Sequence, residues 1–291
     1  MKTAYLTFQE KFQKLAQERP TLIENTLSNI FTMRLIGNKT HGDMAEIGIA
    51  EFINQFMDDY KCEHVGKDLF RAKEHEEDIK IIDKHTGEEI PVSLKAYGDG
   101  PLQLSTDKEA KMYPELEGRG TDITDRSEIE AILSSDAFKG LSEVNVMPLI
   151  YREQKKQCNI MVFDFGKMVE NTSRILFIPK GKKYDETTKQ LVDYKGRTHP
   201  IFMFLDKDGK YICEVRYGNA AANALQRGFW THTINAGKSY FKSLTDGWIS
   251  YSHNGTLVKL FKLALNANEE GHKKANTILQ ENIDTILKKK D

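Results

Sequence analysis

The chain has 291 residues, of which 39% are hydrophobic and 29% charged, and its 42 Lys and Arg balance its 43 Asp and Glu to a formal net charge of −1. This composition indicates a globular protein that buries a sizeable core. No apolar run approaches the ~20 residues that cross a membrane, which argues against an integral membrane protein. The three cysteines, Cys62, Cys158 and Cys213, are too few and too scattered for a disulfide framework or a metal-ligand spacing.

Hydrophobic periodicity predicts helices over residues 6–18, 21–34 and 43–58 at the amino-terminal end. Two short strands rich in β-branched residues follow, IKIID and IPVSLKAY, with Thr86 and Gly87 between them as a turn signal. The remaining predicted elements are, in chain order, a strand at PLQLS, a helix near 126–138, strands at VMPLIY, NIMVFDF and RILFIP, the hairpin IFMFLDKDGKYICEVRY, and helices at 219–227, LVKLFKLAL and 270–289. This order predicts an α/β (α+β) fold with a mixed central sheet flanked by helices.

The first hairpin is predicted to gather a carboxylate, a hydroxyl and an amine. A turn centred on the Thr-Gly pair places Asp78 opposite Lys95, and a turn centred one residue earlier places Asp78 opposite Ser93. Side chains alternate between the two faces of a strand, so Asp78, Ser93 and Lys95 share a face in either register. Val92 and Leu94 are predicted to point the other way, towards a core.

An aspartate at the start of one strand and a lysine on the next are suited to metal-assisted hydrolysis of a phosphodiester. The carboxylate of Asp78 is a ligand for a hard divalent cation, which polarises a phosphate and lowers the pKa of a bound water. Lys95 is close enough to orient that water or to neutralise charge on the phosphate. The alternative interpretation is an ordinary cross-strand ion pair that contributes well under ~1 kcal/mol.

These residues, together with the run SLKAYGDGPLQLS over 93–105, resemble the PD-(D/E)xK nucleases, and most closely the type II restriction endonucleases. The chain departs from the family pattern at two positions. Glu77 stands where the family has proline, and Ser93 stands where its second acidic residue usually lies. Some members of the family carry Ser-x-Lys and recruit the missing carboxylate from elsewhere in the chain.

The resemblance implies one restriction-endonuclease-like domain over residues 1–291. Within it, we expect a helical part over 1–60, a catalytic core over about 61–180 and a DNA-contacting part over about 200–268. It implies Mg²⁺ as the cofactor, double-stranded DNA as the substrate and a DNA methyltransferase as the functional partner. A homodimer is also expected, because each site cuts one strand and a two-fold axis places a second site on the other. The amino terminus lacks the apolar stretch of a signal peptide, so the expected location is cytoplasmic.

Under this interpretation Asp78 binds the metal, Lys95 orients the water and Ser93 lines the site, which leaves a second carboxylate to be found. Glu46 is the first candidate, because the resemblance implies a glutamate from an amino-terminal helix beside the metal. With Asp43 at the helix start, Glu46 also forms a capping-box pattern. Glu51 falls on the polar face of the same helix, and Asp99 is a further alternative. Strand alternation directs Glu77 away from Asp78 unless a bulge intervenes.

The charge distribution indicates where DNA would bind. Residues 215–268 contain a single acid, Asp246, and six basic residues: Arg216, Arg227, Lys238, Lys242, Lys259 and Lys262. Gln226 and Arg227 are the predicted base contacts, since Gln and Arg bind base edges in pairs of hydrogen bonds, and Lys238 is the predicted phosphate contact. Gln103 resembles the glutamine that often follows the lysine strand in these nucleases and positions backbone or phosphate. Its alternative is an exposed polar position on a short strand.

The predicted function is therefore Mg²⁺-dependent, sequence-specific cleavage of double-stranded DNA. Two alternatives remain open at this stage. One is a non-catalytic nucleic-acid-binding protein in which the pair of Asp78 and Lys95 is only structural. The other is a repair or recombination nuclease of the same fold, which recognises DNA structure and not a short sequence.

Overall fold

The computed structural model describes residues 3–36, 41–65, 77–216, 227–266 and 269–288. The helices are, in chain order, α1 (Ala4–Glu18), α2 (Pro20–Ile36), α3 (His41–Phe56), α4 (Met112–Glu117), α5 (Arg126–Leu133), α6 (Lys139–Glu143), α7 (Phe165–Asn171), α8 (Gly255–Leu265) and α9 (Glu269–Lys288), with short 3-10 helices at Asp136–Phe138 and Thr233–Gly237. The strands are β1 (Tyr60–His64), β2 (Ile79–Asp83), β3 (Glu89–Tyr97), β4 (Pro101–Ser105), β5 (Asp122–Ile123), β6 (Asn145–Arg152), β7 (Gln157–Phe163), β8 (Arg174–Ile178), β9 (Lys182–Asp185), β10 (Gln190–Asp193), β11 (Ile201–Leu205), β12 (Tyr211–Arg216), β13 (Gly228–His232), β14 (Phe241–Ser243) and β15 (Ile249–Ser250). In these ranges no helix has the length and apolar character of a bilayer-crossing segment.

Polar side chains set the start of several helices, because their oxygens accept hydrogen bonds from backbone N–H groups that have no partner within the helix. At the start of α5, Asp125 accepts a hydrogen bond of 2.9 Å from the N–H of Glu128. At the start of α7, Asp164 accepts one of 2.9 Å from the N–H of Lys167. Asn254 caps α8 in the same way. These helix starts follow from the local sequence.

The first sheet is mixed and carries the candidate site residues. Its strands lie in the order β1-β2-β3-β6-β7-β14, and β15 also pairs with β7. β1, β2 and β3 form an antiparallel meander, β3 runs parallel to β6, and β7 is antiparallel to its neighbours. Parallel neighbours need a crossover connection, so the chain leaves this sheet after β3 and returns to it at β6.

The second sheet is antiparallel throughout, in the order β4-β13-β12-β11-β8-β5. Only three residues, Gly98, Asp99 and Gly100, connect β3 to β4. The end of the lysine-bearing strand is therefore joined directly to the second sheet. β9 and β10 form a separate two-stranded ribbon.

The two faces of the first sheet pack against different layers. One face is covered by α1, α2 and α3 through a buried cluster that includes Phe8, Phe12, Ile49, Ile53, Ile79, Val92 and Leu94. The other face packs towards the second sheet through a cluster that includes Val146, Ile150, Phe202, Phe204 and Phe229. The inward direction predicted for Val92 and Leu94 is thus confirmed. The opposite face of β3, which carries Ser93 and Lys95, is turned towards the second sheet.

The predicted architecture of helices around a mixed central sheet is confirmed. The predicted helix over 126–138 is too long, because α5 ends at Leu133. The hydroxyl of Ser134 donates to the carbonyl of Glu130, and serine side chains compete with the backbone for such bonds. The chain then continues as a separate 3-10 helix.

Two other predicted boundaries have different outcomes. α3 begins at His41, so Asp43 lies inside the first helical turn and the predicted capping box with Glu46 is wrong. The helix predicted over 219–227 falls almost wholly outside the described residues. Arg227, the described end of that range, lies in a bend immediately before β13.

Candidate functional site

The observed hairpin register decides between the two alternatives open from the sequence. Ile79 pairs with Val92, so Asp78, one residue earlier, lies opposite Ser93 and not opposite Lys95. This is the register with the turn centred one residue earlier than the Thr-Gly pair. The predicted shared face is unaffected, because the two registers differ by two residues on the partner strand.

The turn sets this register through one buried aspartate. The carboxylate of Asp83 accepts hydrogen bonds from the backbone N–H of His85 at 2.8 Å and of Thr86 at 3.1 Å. These bonds, the one from His85 foremost, lower the pKa of Asp83. Gly87 adopts a φ of 73°, a conformation that residues with a Cβ rarely take. The side chain of Asp83 thus closes the turn before Gly87 reverses the chain.

Asp78 is held in place through both its backbone and its side chain. Its N–H donates to the carbonyl of Val92 at 2.9 Å, and its carbonyl accepts from the N–H of Val65 at 3.0 Å. Oδ2 of its carboxylate accepts two hydrogen bonds, from Oγ of Ser93 at 3.0 Å and from the N–H of Leu94 at 2.7 Å. No described residue donates a hydrogen bond to Oδ1 of Asp78. One oxygen therefore anchors the carboxylate and the other is available to a ligand.

Lys95 completes the cluster on the same face of β3. Its Nζ lies 3.9 Å from Oδ2 of Asp78, and the two side chains are only 22% and 23% exposed. This distance is within the range of an ion pair but beyond that of a direct hydrogen bond. No described residue accepts a hydrogen bond from this ammonium, so its N–H groups are available to a ligand. The predicted convergence of Asp78, Ser93 and Lys95 is confirmed.

The cluster of Asp78, Ser93 and Lys95 suits a Mg²⁺ ion that is bound by few protein ligands. Mg²⁺ keeps several waters and is commonly bound by one or two carboxylates together with substrate phosphates. Oδ1 of Asp78 is a carboxylate oxygen of this kind, whereas the hydroxyl proton of Ser93 is donated to Asp78. In the described part of the chain, no cluster of three or more His, Cys, Asp and Glu side chains has the arrangement of a metal site. The cluster thus fits a cation shared with a phosphate, and not one enclosed by protein ligands.

Glu46 lies at the same end of the first sheet as Asp78, but on the other face. It is buried on α3, and its Oε2 lies 3.0 Å from Nε2 of His64. His64 pairs with Ile79, so its side chain shares the helix-covered face with Ile79 while Asp78 points to the opposite face. The structure therefore brings Glu46 to His64. The role of Glu46 as a metal ligand stays a prediction.

A pair of variants on α3 tests that role. We expect Glu46→Gln to slow Mg²⁺-dependent DNA cleavage far more than Glu51→Gln, because Glu46 is buried at the end of the sheet where Asp78 lies and Glu51 is exposed. Cleavage rates of both variants, with their thermal denaturation, provide the measurement. Equal rates, with a loss of stability confined to Glu46→Gln, would restrict Glu46 to its pair with His64 and favour Asp99 as the second acid.

Gln103 is buried, so its interpretation as an exposed polar position is wrong. Its backbone pairs with Trp230, and its Nε2 donates to the backbone carbonyl of Arg227 at 2.7 Å. Tyr97, at the end of the lysine strand, lies near the backbone N–H of Gln103. Burial raises the pKa of Tyr97, and the backbone N–H of Gln103 and the charge of Arg216 oppose that rise. Gln103 thus connects the strand of the candidate cluster to the segment that contains Arg227.

The other predicted DNA contacts are placed only in part. Gln226 lies outside the described residues. Arg227 is half-buried, and its Nε has no hydrogen-bond partner among the described residues. Lys238 is exposed at the end of the second 3-10 helix, where its N–H donates to the carbonyl of Asn235 at 2.9 Å. Its ammonium forms no ion pair with a described residue, which suits a phosphate contact.

One group near Gln103 was missed from the sequence. The guanidinium of Arg216 lies 4.1 Å from the ring centroid of Trp230, and its Nε bonds to Glu214. Trp230 is buried, and its Nε1 has no hydrogen-bond partner among the described residues. The order Glu214, Val215, Arg216 on β12 predicts that the two charged side chains share one face of the strand. Only the pairing of Glu214 with Trp230 on β13 places the indole ring on that face. Glu214 offsets the charge of Arg216, whereas Lys238 forms no ion pair with a described residue.

Comparison with known proteins identifies no relative: no protein-family model, curated protein or solved structure matches the chain. The candidate site is accordingly defined by its own geometry. In that geometry the carboxylate of Asp78 is anchored through Oδ2 and has Oδ1 available, and the ammonium of Lys95 lies 3.9 Å from Oδ2.

Proposed function

We propose that the protein is a Mg²⁺-dependent endonuclease that hydrolyses phosphodiester bonds in double-stranded DNA, of the type II restriction class. The observation that carries the proposal is the cluster on β2 and β3, in which Ser93 and the N–H of Leu94 orient Asp78 beside Lys95. A hard anionic oxygen and an ammonium on one face are the groups that phosphodiester hydrolysis uses. A mixed sheet flanked by helices is also the architecture that the resemblance implies, and it supports the same proposal.

Each residue of the cluster has a separate role in the proposed reaction. Asp78 would hold the cation through Oδ1, because Oδ2 already accepts two hydrogen bonds. When bound there, Mg²⁺ supplies a positive charge that polarises the phosphate and lowers the pKa of a coordinated water. Lys95 orients the attacking water and offsets the charge that grows on the phosphate as the water oxygen bonds to phosphorus. The attacking water gives up a proton to solvent as it bonds to phosphorus, the P–O bond to the leaving nucleotide breaks, and the leaving oxygen takes up a proton from solvent.

Ser93 is a positioning residue in this proposal and not a metal ligand. Its hydroxyl donates to Asp78, so it occupies the position of the family's second acid without supplying a negative charge. The extra carboxylate would then come from outside β3. Glu46, at the same end of the sheet as Asp78 but on its other face, is one proposed source, and Asp99 is the other.

We further propose a homodimer as the active form. One cluster cuts one strand, and a two-fold axis would place the second copy on the other strand of a palindromic site. A restriction enzyme acts together with a DNA methyltransferase that protects host DNA, so such an enzyme is the proposed functional partner.

The basic segment gives a prediction about DNA binding. We expect Lys238→Ala to weaken binding to all sequences alike and to flatten the salt dependence of the affinity by about one unit, because each phosphate contact releases condensed counterions. Arg227→Ala is expected to cost roughly 1–3 kcal/mol on the preferred site and little on random DNA, because a base contact carries specificity. Gel shifts over a salt series, on both kinds of duplex with Ca²⁺ in place of Mg²⁺, measure the two effects. Unchanged affinity and slope in both variants would place the DNA-binding surface elsewhere.

Incubation of the protein with plasmid DNA, with and without Mg²⁺, tests the proposed function directly. Discrete fragments that require Mg²⁺ are the expected result. A smear or cleavage restricted to branched DNA would indicate a structure-specific nuclease, the second alternative from the sequence. Binding without cleavage would indicate a non-catalytic DNA-binding protein in which the pair of Asp78 and Lys95 is only structural.

A further inference from the structure

In the loop over residues 233–238, an apolar side chain is exposed to solvent and the polar side chain next to it is buried. Ile234 is 79% exposed, whereas the neighbouring Asn235 is only 4% exposed. Among the other large hydrophobic side chains that the structure describes, the most exposed is Tyr194, at 46%. Single exposed apolar residues are common on protein surfaces, but here a buried asparagine holds the isoleucine outward.

Hydrogen bonds fix the backbone on both sides of Ile234. Nδ2 of Asn235 donates to the carbonyl of Ile212 at 2.9 Å, and Nδ1 of His232 accepts from the N–H of Ile234 at 3.1 Å. The N–H of Thr233 donates to the carbonyl of Gly100 at 2.9 Å, and the N–H of Gly100 donates to Oγ1 of Thr233 at 2.9 Å. A side chain on such a fixed turn can contact a partner with little further loss of conformational entropy.

The bond to Gly100 places this loop near the candidate cluster. Gly100 follows Lys95 by five residues, so their Cα atoms are at most about 18 Å apart even if the chain between them is fully extended. That distance corresponds to about five base pairs along a duplex, at 3.4 Å per base pair. A duplex bound at Asp78 and Lys95 is therefore long enough to reach the loop.

The charge around Ile234 indicates which partner the loop suits. Lys238 is exposed on the same loop, four residues after Ile234, and forms no ion pair with a described residue. A basic side chain beside an exposed apolar one suits a polyanion, and under the proposed function that polyanion is duplex DNA. Within DNA, an isoleucine has two suitable targets, the thymine methyl group in the major groove and the stacked base steps.

We propose that Ile234 is an apolar DNA contact, which inserts into a groove of the duplex while Lys238 binds a phosphate beside it. This inference rests on the proposed function and adds to it a residue that contacts bases without a hydrogen bond. An apolar contact releases no counterion, so it contributes affinity that does not depend on salt.

The test is a gel-shift salt series on a long random-sequence duplex in Ca²⁺, with wild type, Ile234→Asn and Leu191→Asn. Leu191 is a matched control, because it is an exposed aliphatic residue on the separate β9–β10 ribbon. We expect Ile234→Asn to lower the affinity about tenfold at every salt concentration with an unchanged slope, and Leu191→Asn to bind as wild type. Since both side chains are exposed, both variants should retain the wild-type melting temperature.

Three results would overturn the proposal, and they have different meanings. Wild-type affinity of Ile234→Asn, with wild-type protein still binding and cutting DNA, would reject Ile234 as a contact and leave the proposed function intact. Altered sedimentation of Ile234→Asn, with unchanged DNA affinity, would assign the loop to contact with a second copy of the chain. Failure of the wild-type protein to bind duplex DNA would reject the proposed function and this inference together.

Discussion

Replacement of Lys95 by alanine is expected to slow DNA cleavage by at least about a hundredfold and to leave DNA affinity nearly unchanged. The reason is its position: Nζ lies 3.9 Å from the Asp78 carboxylate, where it can act on the water and phosphate of the chemical step. Docking of the duplex depends instead on many phosphate contacts across a wide surface. Single-turnover cleavage and gel shifts in Ca²⁺ separate the two effects.

Lys80→Ala is the matched control for this prediction. Lys80 lies on the neighbouring strand and the same face as Asp78, but its ammonium pairs with Glu89 at 2.8 Å. We expect Lys80→Ala to cleave at close to the wild-type rate. A folded Lys95→Ala variant whose rate stays within about tenfold of wild type, a change of only about 1.4 kcal/mol, would remove Lys95 from the chemistry. An equal loss of cleavage rate in Lys80→Ala would show that the rate depends on the total positive charge of this face of the sheet and not on the position of Lys95.

Asp78→Asn is expected to abolish cleavage and to weaken Mg²⁺ binding, because it removes the negative charge while it keeps the shape of the side chain. The amide oxygen of the variant can still accept the hydrogen bonds that Ser93 and Leu94 donate to Oδ2. The free energy of unfolding should therefore change by only about 1 kcal/mol. Isothermal titration with Mg²⁺, cleavage assays and thermal denaturation measure the three quantities.

Asp99→Asn provides the comparison for Asp78→Asn. Asp99 is exposed between β3 and β4 and was the alternative acid beside the lysine strand. Wild-type Mg²⁺ affinity in Asp78→Asn would move the metal site away from β2. If Asp99→Asn lost both Mg²⁺ binding and cleavage, Asp99 would be the ligand. Normal activity in Asp99→Asn and none in Asp78→Asn would support the proposed assignment.

The sequence by itself determined the shared face of Asp78, Ser93 and Lys95. Strand alternation has a period of two, and moving the centre of the turn by one residue shifts the opposite partner by two. The shared face was therefore independent of the register, which the sequence left undecided. The register itself was decided by the turn, where the carboxylate of Asp83 binds two backbone N–H groups.

Tertiary structure alone decided the surroundings of that cluster, because these contacts join residues far apart in the chain. The sequence placed Glu46 on an amino-terminal helix, but only the packing of α3 on β1 places it beside His64. Gln103 donates to the carbonyl of Arg227, 124 residues later, and no local pattern encodes that bond. The exposure of Ile234 likewise depends on bonds from Asn235 to β12 and from Thr233 to Gly100. Side-chain direction along one strand is a local property, whereas the environment into which it points is set by the packing of distant elements.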